Sequence, residues 1–166
     1  MTQDDRELMC RIQQGEEELF SRLVEKYRSR LYRFAYSKLG RSSTAEDVVQ
    51  ETLLAAFSAR ATYRPEFAFS TWLWTILLNL CRTTIRKQAR LPVESLEPLR
   101  NAMVDRRERP GGLEQLLQQE QSEILLAKLA ELPEAQSDAI RLRFFAELTY
   151  DEIATTMNSS LSGAKK

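Results

Sequence analysis

Glycine and proline punctuate this chain so sparsely that a turn-rich sheet architecture is excluded. There are five of each in 166 residues, and Pro92, Pro98, Pro110, Gly111 and Gly112 fall together in one short stretch. A sandwich or barrel needs a turn signal every ten residues or so. Here the intervals between signals are long, and they carry apolar residues at i, i+3 and i+4 spacing. Glu16–Leu39 shows the pattern best, with Leu19, Phe20, Leu23, Val24, Tyr27, Leu31, Phe34 and Ala35 on one face. No run has the period of a strand. The fold class predicted is all-α.

The same punctuation divides the chain. Residues 1–90 form a first helical domain, residues 91–112 a Pro- and Gly-containing linker, and residues 113–166 a smaller second domain. Gly15 and Gly40 each follow an apolar-periodic run, as glycines just past a helix end do. Helices are predicted over Asp4–Gln14 and Glu16–Leu39, and from the capping-box sequence Ser43-Thr44-Ala45-Glu46 onward. A loop spans Ala61–Phe69, and Ser70 caps a helix to about Ala89. Beyond the linker, helices are expected over Leu113–Leu132, from Pro133 at the first helical position to Phe145, and over Tyr150–Met157. Asn158-Ser159-Ser160 then turns the chain into a last helix, which makes a helix-turn-helix.

Composition limits the chemistry. No histidine is present, which removes the commonest general base and the commonest transition-metal ligand. Cys10 and Cys81 stand far apart, without metal-knuckle spacing, and read as small apolar residues of a reducing compartment. With no Gly-rich loop and no carboxylate cluster, no catalytic set can be assembled; a non-enzyme without cofactor or metal is expected. The opening Met1-Thr2-Gln3-Asp4-Asp5 is acidic and no apolar segment follows, so a secretory signal is not expected and a cytoplasmic location is.

Charge points elsewhere. The net charge is zero, with 24 basic and 24 acidic residues, yet no acidic residue occurs between Glu66 and Glu94. Exposed helices ordinarily intersperse both signs. In this stretch Thr75, Asn79, Arg82, Thr83, Arg86 and Arg90 fall on one side of the fourth helix, with Lys87 beside them, opposite Leu73, Ile76, Leu77, Leu80, Thr84 and Ile85. Amide, hydroxyl and guanidinium groups in a stripe suit a DNA groove, although a solvated face would look similar. Just before it, Tyr63, Phe67 and Phe69 are candidates for stacking on unpaired bases, or else for the core. Trp72 and Trp74 divide between core and surface. On the third helix Asp47, Gln50, Glu51 and Leu54 form an outward strip opposite Val48, Val49, Leu53, Ala56 and Phe57. That strip is either plain solvated surface or a docking site for a basic partner.

Four segments, in this order, resemble one family. Ala45–Phe57 (AEDVVQETLLAAF) is similar to the core-binding signature of the extracytoplasmic-function (ECF) sigma factors, which contain sigma regions two and four only. Phe69–Leu80 (FSTWLWTILLNL) resembles their promoter-melting and recognition segment, and Leu132-Pro133-Glu134 and Leu148–Ala154 (LTYDEIA) resemble region four. The resemblance implies a four-helix region two and a helix-turn-helix region four in a bacterial transcription initiation factor that directs core RNA polymerase to promoters. It places Asp47, Gln50, Glu51 and Leu54 on the clamp helices of the largest polymerase subunit. Tyr63, Arg64, Phe67, Phe69 and Ser70 would surround a base flipped from the minus-ten element, and Thr75, Asn79, Arg82, Thr83, Arg86 and Lys87 would lie on its duplex.

Ser162, Gly163, Ala164, Lys165 and Lys166 would open the minus-thirty-five recognition helix; the sequence stops early in that helix, so either it is a piece of a longer chain or minus-thirty-five reading is impaired. The implied partners are core polymerase, promoter DNA and an anti-sigma factor, with the protein nucleoid-associated when active or held at the inner membrane by the anti-sigma factor. The family's usual Arg before the Asn is Leu78 here, its frequent Asp four residues later is Thr83, and Ser137 stands for a common Arg. The alternative kept beside this is a stand-alone helix-turn-helix regulator with a helical dimerisation or sensor domain.

Overall fold

The computed structural model describes residues 3–90 and 112–162, with side chains described over 5–90 and 120–157. Seven α-helices occur in this order: α1 (Gln3–Gln13), α2 (Phe20–Leu39), α3 (Ser42–Ser58), α4 (Phe69–Gln88), α5 (Gly112–Glu131), α6 (Glu134–Phe145) and α7 (Tyr150–Ser162). Single 3-10 turns over Glu17–Leu19 and Arg60–Thr62 precede α2 and follow α3. No strand is present among the described residues. The all-α expectation holds, and the predicted helices match to within a few residues, as helix ends commonly allow. Apart from Gly112, the expected linker 91–112 lies outside the described residues.

Local chemistry explains the boundaries, though not always the chemistry expected. Gly40 ends α2 in the left-handed conformation, φ 75°, and its N–H donates to the Tyr36 carbonyl at 2.9 Å. The expected capping boxes divide. At α7 the box forms: the Thr149 N–H donates to Glu152 Oε2 at 2.8 Å, and the Glu152 N–H donates to Thr149 Oγ1 at 3.3 Å. At α3 it does not. That helix starts one residue early, with Arg41 at the cap position and no side-chain cap bond. Ser42 is instead engaged by the Tyr32 hydroxyl, at 3.0 Å, and Thr44 by Gln88. Ser43, the expected cap, lies inside the first turn of the helix. Helix α4 begins at Phe69 with Ala68 as its cap, and Ser70 lies buried inside the first turn. Pro133 caps α6 from just outside instead of occupying its first position.

Helix α7 corrects a larger expectation. Its backbone stays helical through Asn158-Ser159-Ser160 to Ser162, so the turn predicted at those three residues is absent. Asn and Ser cost only tenths of a kcal/mol within a helix, too little to break one unaided. Gly163 to Lys166 lie outside the described residues.

Helix α2 packs against α3, α4 and α6, and α4 lies between α3 and α7. The fully buried large side chains Phe34, Leu31, Leu23, Phe69, Leu73, Trp74, Leu77 and Leu78 fill the centre. One continuous cluster joins these to Leu142, Phe145, Ala146, Leu148 and Ile153 of α6, the α6–α7 turn and α7. The helices before and after the undescribed segment therefore share one core. The expected buried side of α4 is broader than its periodicity implied: Thr71, Trp74, Leu78 and Cys81 are buried as well, whereas Ile85 is exposed. Trp72 is half-buried and Trp74 fully buried, as their division between surface and core required. The Trp74 indole N–H has no hydrogen-bond partner among the described residues.

Burial pushes the Cys81 thiol up to about 12. A small alkylating reagent at pH 8 is expected to modify the half-exposed Cys10 and spare Cys81 until the chain unfolds. Peptide mapping before and after denaturant checks this. Trp74→Ala should cost about 3–5 kcal/mol in urea denaturation. Trp74→Phe, which also removes an unpartnered donor, should cost clearly less.

Candidate nucleic-acid and polymerase interfaces

Helix α3 presents two faces with opposite chemistry. Ala45, Val48, Val49, Thr52 and Ala56 are buried, and the Thr52 hydroxyl is satisfied within the helix by the Val48 carbonyl at 2.7 Å. Asp47, Gln50, Glu51 and Leu54 are all exposed on the far side. Leu54 is 63% exposed. An apolar side chain that open, flanked by two carboxylates and an amide, is available to a partner and contributes nothing to this core.

The segment after α3 is built differently from its sequence reading. Tyr63 and Phe69 are core residues: Tyr63 is 3% exposed and Phe69 fully buried. Their rings meet edge to face at 5.9 Å, Tyr63 also meets Trp72 at 5.4 Å, and Phe69 meets Tyr27 at 5.6 Å. Neither ring is presented to a base. Ser70 is likewise buried. The exposed members of the predicted set are Arg64 and Phe67, the latter 57% exposed.

Aromatic packing decides this outcome. Tyr63 anchors the loop from below, and its hydroxyl donates to the Phe67 carbonyl at 2.8 Å. That bond shapes the backbone on which the exposed Phe67 ring stands. Desolvation of its ring raises the Tyr63 phenol above its ordinary range, so it stays a neutral donor.

Helix α1 supports the same loop, a role with no sign in its local residue pattern. The Gln13 side-chain amide donates to the carbonyls of Arg60 and Tyr63, both at 2.8 Å. Arg60 in turn pairs with Glu17 and lies 4.2 Å over the Phe57 ring. Helix α1 is itself fixed to α2 through the buried Asp5, which accepts from Lys26 Nζ and the Tyr27 hydroxyl, each at 2.6 Å. Burial first, and then the Asp5 hydrogen bond, hold the Tyr27 phenol protonated far above its usual range.

The α4 stripe divides along its length. Thr75 is half-buried and donates to the Thr71 carbonyl at 2.7 Å. Asn79, Thr83, Arg86, Lys87 and Arg90 are exposed. Arg82 is not free: its guanidinium lies 3.2 Å from the buried Asp138 carboxylate and 3.8 Å from Glu134, both on α6. Lys38, Ser37, Ser137 and Arg141 complete this cluster. Sequence reasoning missed it because Lys38 and Asp138 are 100 positions apart. The only local sign was a run of polar residues, Ser137, Asp138 and Arg141, on the side of α6 that also carries Leu142 and Phe145.

An acid-free face on α4 and an exposed acidic strip on α3, with α1–α4, α6 and α7 sharing one core, restrict the families that fit. Residues 23–91 match the model of Sigma-70 region 2, and residues 122–166 that of Sigma-70, region 4. The ECF RNA polymerase sigma-E factor of Escherichia coli (strain K12) is 31% identical over 165 residues, covering 93% of this chain and 83% of that protein. This chain belongs to the ECF sigma factors. The RNA polymerase sigma-H factor of Pseudomonas aeruginosa is 29% identical, covering 95% of this sigma factor and 84% of its own length. Among solved structures, CnrH in complex with the cytosolic domain of CnrY superposes with a TM-score of 0.66 over 96% of this chain and 88% of that one, at 22% identity. That likeness concerns the fold.

A sigma factor is a transcription initiation factor that directs RNA polymerase, and this one has its region-two match over α2–α4 and its region-four match over α5–α7. None of its described helices is long and apolar enough to cross a membrane.

The support under the loop has a measurable consequence. Gln13→Ala leaves the Arg60 and Tyr63 carbonyls without their donor and should cost on the order of 1–2 kcal/mol. Urea denaturation checks the energy, and faster amide exchange at Tyr63 and Phe67 would place the loosening in this loop.

Proposed function

We propose that this sigma factor grips the clamp helices of the largest polymerase subunit through Asp47, Gln50, Glu51 and Leu54, and opens the minus-ten element with the loop and helix that follow. The observation that carries the reading is the α4 face. Asn79, Thr83, Arg86, Lys87 and Arg90 are exposed on one rigid helix with no acidic residue between Glu66 and Glu94. On this reading the Asn79 amide reads a base edge, while Arg86 and Lys87 neutralise phosphates. Thr83 donates to the Asn79 carbonyl at 2.9 Å, which leaves its hydroxyl oxygen open as an acceptor.

Base capture falls to the exposed pair Arg64 and Phe67. A protein without an ATPase holds a duplex open by trapping a base that has opened spontaneously, so an exposed ring on a braced loop is the part required. The burial of Tyr63, Phe69 and Ser70 makes them the floor of that loop, from which they could reach a base only after rearrangement. The minus-thirty-five contacts assigned to Ser162, Gly163, Ala164, Lys165 and Lys166 keep the support of the region-four match alone. An anti-sigma factor is the further partner proposed for this chain; CnrH, which shares its fold, was solved in complex with the cytosolic domain of CnrY.

Two outcomes test these assignments. Asp47→Ala and Glu51→Ala should each weaken binding to core polymerase by about 2–5 kcal/mol without altering the unfolding transition, as the loss of an interfacial charge pair does. Surface plasmon resonance against immobilised core enzyme reads the first, and denaturation the second; wild-type affinity in both variants rejects the strip.

On DNA, Asn79→Ala should lose about 1–3 kcal/mol of minus-ten discrimination, and Arg86→Ala should lower the salt slope by about one. Phe67→Ala should abolish permanganate reactivity at promoter thymines in the polymerase complex and leave duplex binding intact. Unchanged strand opening in Phe67→Ala excludes its ring from base capture.

A further inference from the structure

Gln13 meets the loop before α4 through the carbonyls of Arg60 and Tyr63, both at 2.8 Å, so the side of α1 that carries Gln13 is turned toward that loop. Arg6 stands about two helical turns earlier and therefore on the same side, with Cys10 between them. Arg6 is exposed and makes no ion pair among the described residues. Arg11, which lies off that side, is engaged by Glu16.

The Arg6 charge is felt inside the loop. Desolvation raises the Tyr63 phenol, and of the charges around it Arg6 acts most strongly, in the opposite direction; the loop's own Glu66 acts more weakly. The Tyr63 hydroxyl is the group that holds the Phe67 carbonyl, so this cation lies near the root of the exposed ring. Around the loop there are thus one open aromatic ring, Phe67, and two guanidiniums free of ion pairs, Arg64 on the loop and Arg6 on the helix packed against it. A ring for a base, with cations along the path of the backbone, is how proteins hold single strands. The exposed α4 stripe begins at Asn79, ten residues along the helix from Phe69, or about 15 Å. A strand that has come from there to Phe67 has passed the start of α4, and the helix packed on the turn beyond is α1.

We propose that α1 carries the displaced single strand onward from the captured base, with Arg6 bound to a backbone phosphate of that strand. The proposal rests on the assignment of Arg64 and Phe67 to base capture made above. It makes α1 a helix that touches DNA as well as a brace, and one face serves both roles: Gln13 fixes the loop, and with it the spacing between the Phe67 ring and the Arg6 cation. A phosphate contact carries no sequence information, so Arg6 adds affinity for opened DNA without altering which promoter is opened.

The test uses the whole chain assembled with core polymerase and two fluorescein-labelled DNAs read by anisotropy. One is a promoter duplex, and the other is the same promoter held open at the minus-ten element by a non-complementary template strand. Loss of one single-strand phosphate contact lowers the salt slope by about 0.7, which is about fivefold in affinity at about 0.1 M salt. Arg6→Gln should show that loss on the open DNA and stay within about twofold of wild type on the duplex. Arg6→Lys keeps the charge and should recover most of the affinity. Arg33→Gln removes an exposed charge from the C-terminal half of α2 and should change neither. The half-exposed Cys10 gives an independent readout: its alkylation should be slower in the complex with open DNA than in the complex with duplex.

Phe67→Ala runs in parallel. A loss on open DNA in Phe67→Ala with wild-type affinity in Arg6→Gln overturns the α1 contact and leaves base capture standing. Wild-type affinity in both overturns both, whereas a loss in Arg6→Gln alone keeps the phosphate contact and removes the ring. Equal losses on open and paired DNA in Arg6→Gln, or equal losses in Arg6→Gln and Arg33→Gln, overturn the contact, since general charge would then explain them. Equal alkylation of Cys10 in the two complexes overturns the path across α1. Weaker binding of Arg6→Gln to core polymerase itself also overturns it, because an acidic segment of the enzyme would then be the partner of Arg6.

Discussion

Helix α4 is packed over most of its circumference, and the rest of the molecule is arranged around that burial. Phe69, Leu73, Trp74, Leu77, Leu78 and Cys81 enter the core from more than one side, because α2 and α3 flank the helix on one hand and α7 on the other. Removing several large apolar side chains from water supplies the driving force, each worth about 1.5–3 kcal/mol. What remains open is a narrow polar stripe. A helix fixed on its other flanks holds that stripe still, as the contact with a duplex proposed above would require, since a loosely seated helix would lose its contacts to small displacements.

The same rigidity extends to the loop before α4 through a short chain of dependent contacts. Asp5 ties α1 to α2, Gln13 on α1 holds the carbonyls of Arg60 and Tyr63, and the Tyr63 hydroxyl holds the carbonyl of Phe67. Each link satisfies a polar group that would otherwise be costly where it stands. The exposed Phe67 ring is thus carried on a braced backbone, although it belongs to a loop.

Electrostatics set the relation between the two matched regions. One buried carboxylate among three cations makes a local arrangement in which no member is readily replaced, since removing any one strands the others in a low-dielectric seam. An apolar seam would have joined the same helices with less dependence on a single residue. The presence of Arg82 in that seam links the packing of α6 to the exposed polar stripe of α4.

Much of this was determined by sequence alone: the all-α class, the order and approximate extent of the helices, the outward strip of Asp47, Gln50, Glu51 and Leu54, the capping box at Thr149–Glu152, and the family. Each is encoded within about a dozen neighbouring residues, over which periodicity and cap chemistry act. Tertiary structure decided the rest. Ser43 and Ser70, expected to cap α3 and α4, both lie inside the first turn of those helices. Tyr63 and Phe69 became floor while Phe67 became surface because Tyr27 and Trp72 offered rings to only some of them. The Asp138 cluster joins α2, α4 and α6 across as many as 100 positions, and no local pattern specifies which cation a buried carboxylate will meet. Sequence acts through neighbours along the chain, and the pairing of distant charges follows only once the core has placed the helices.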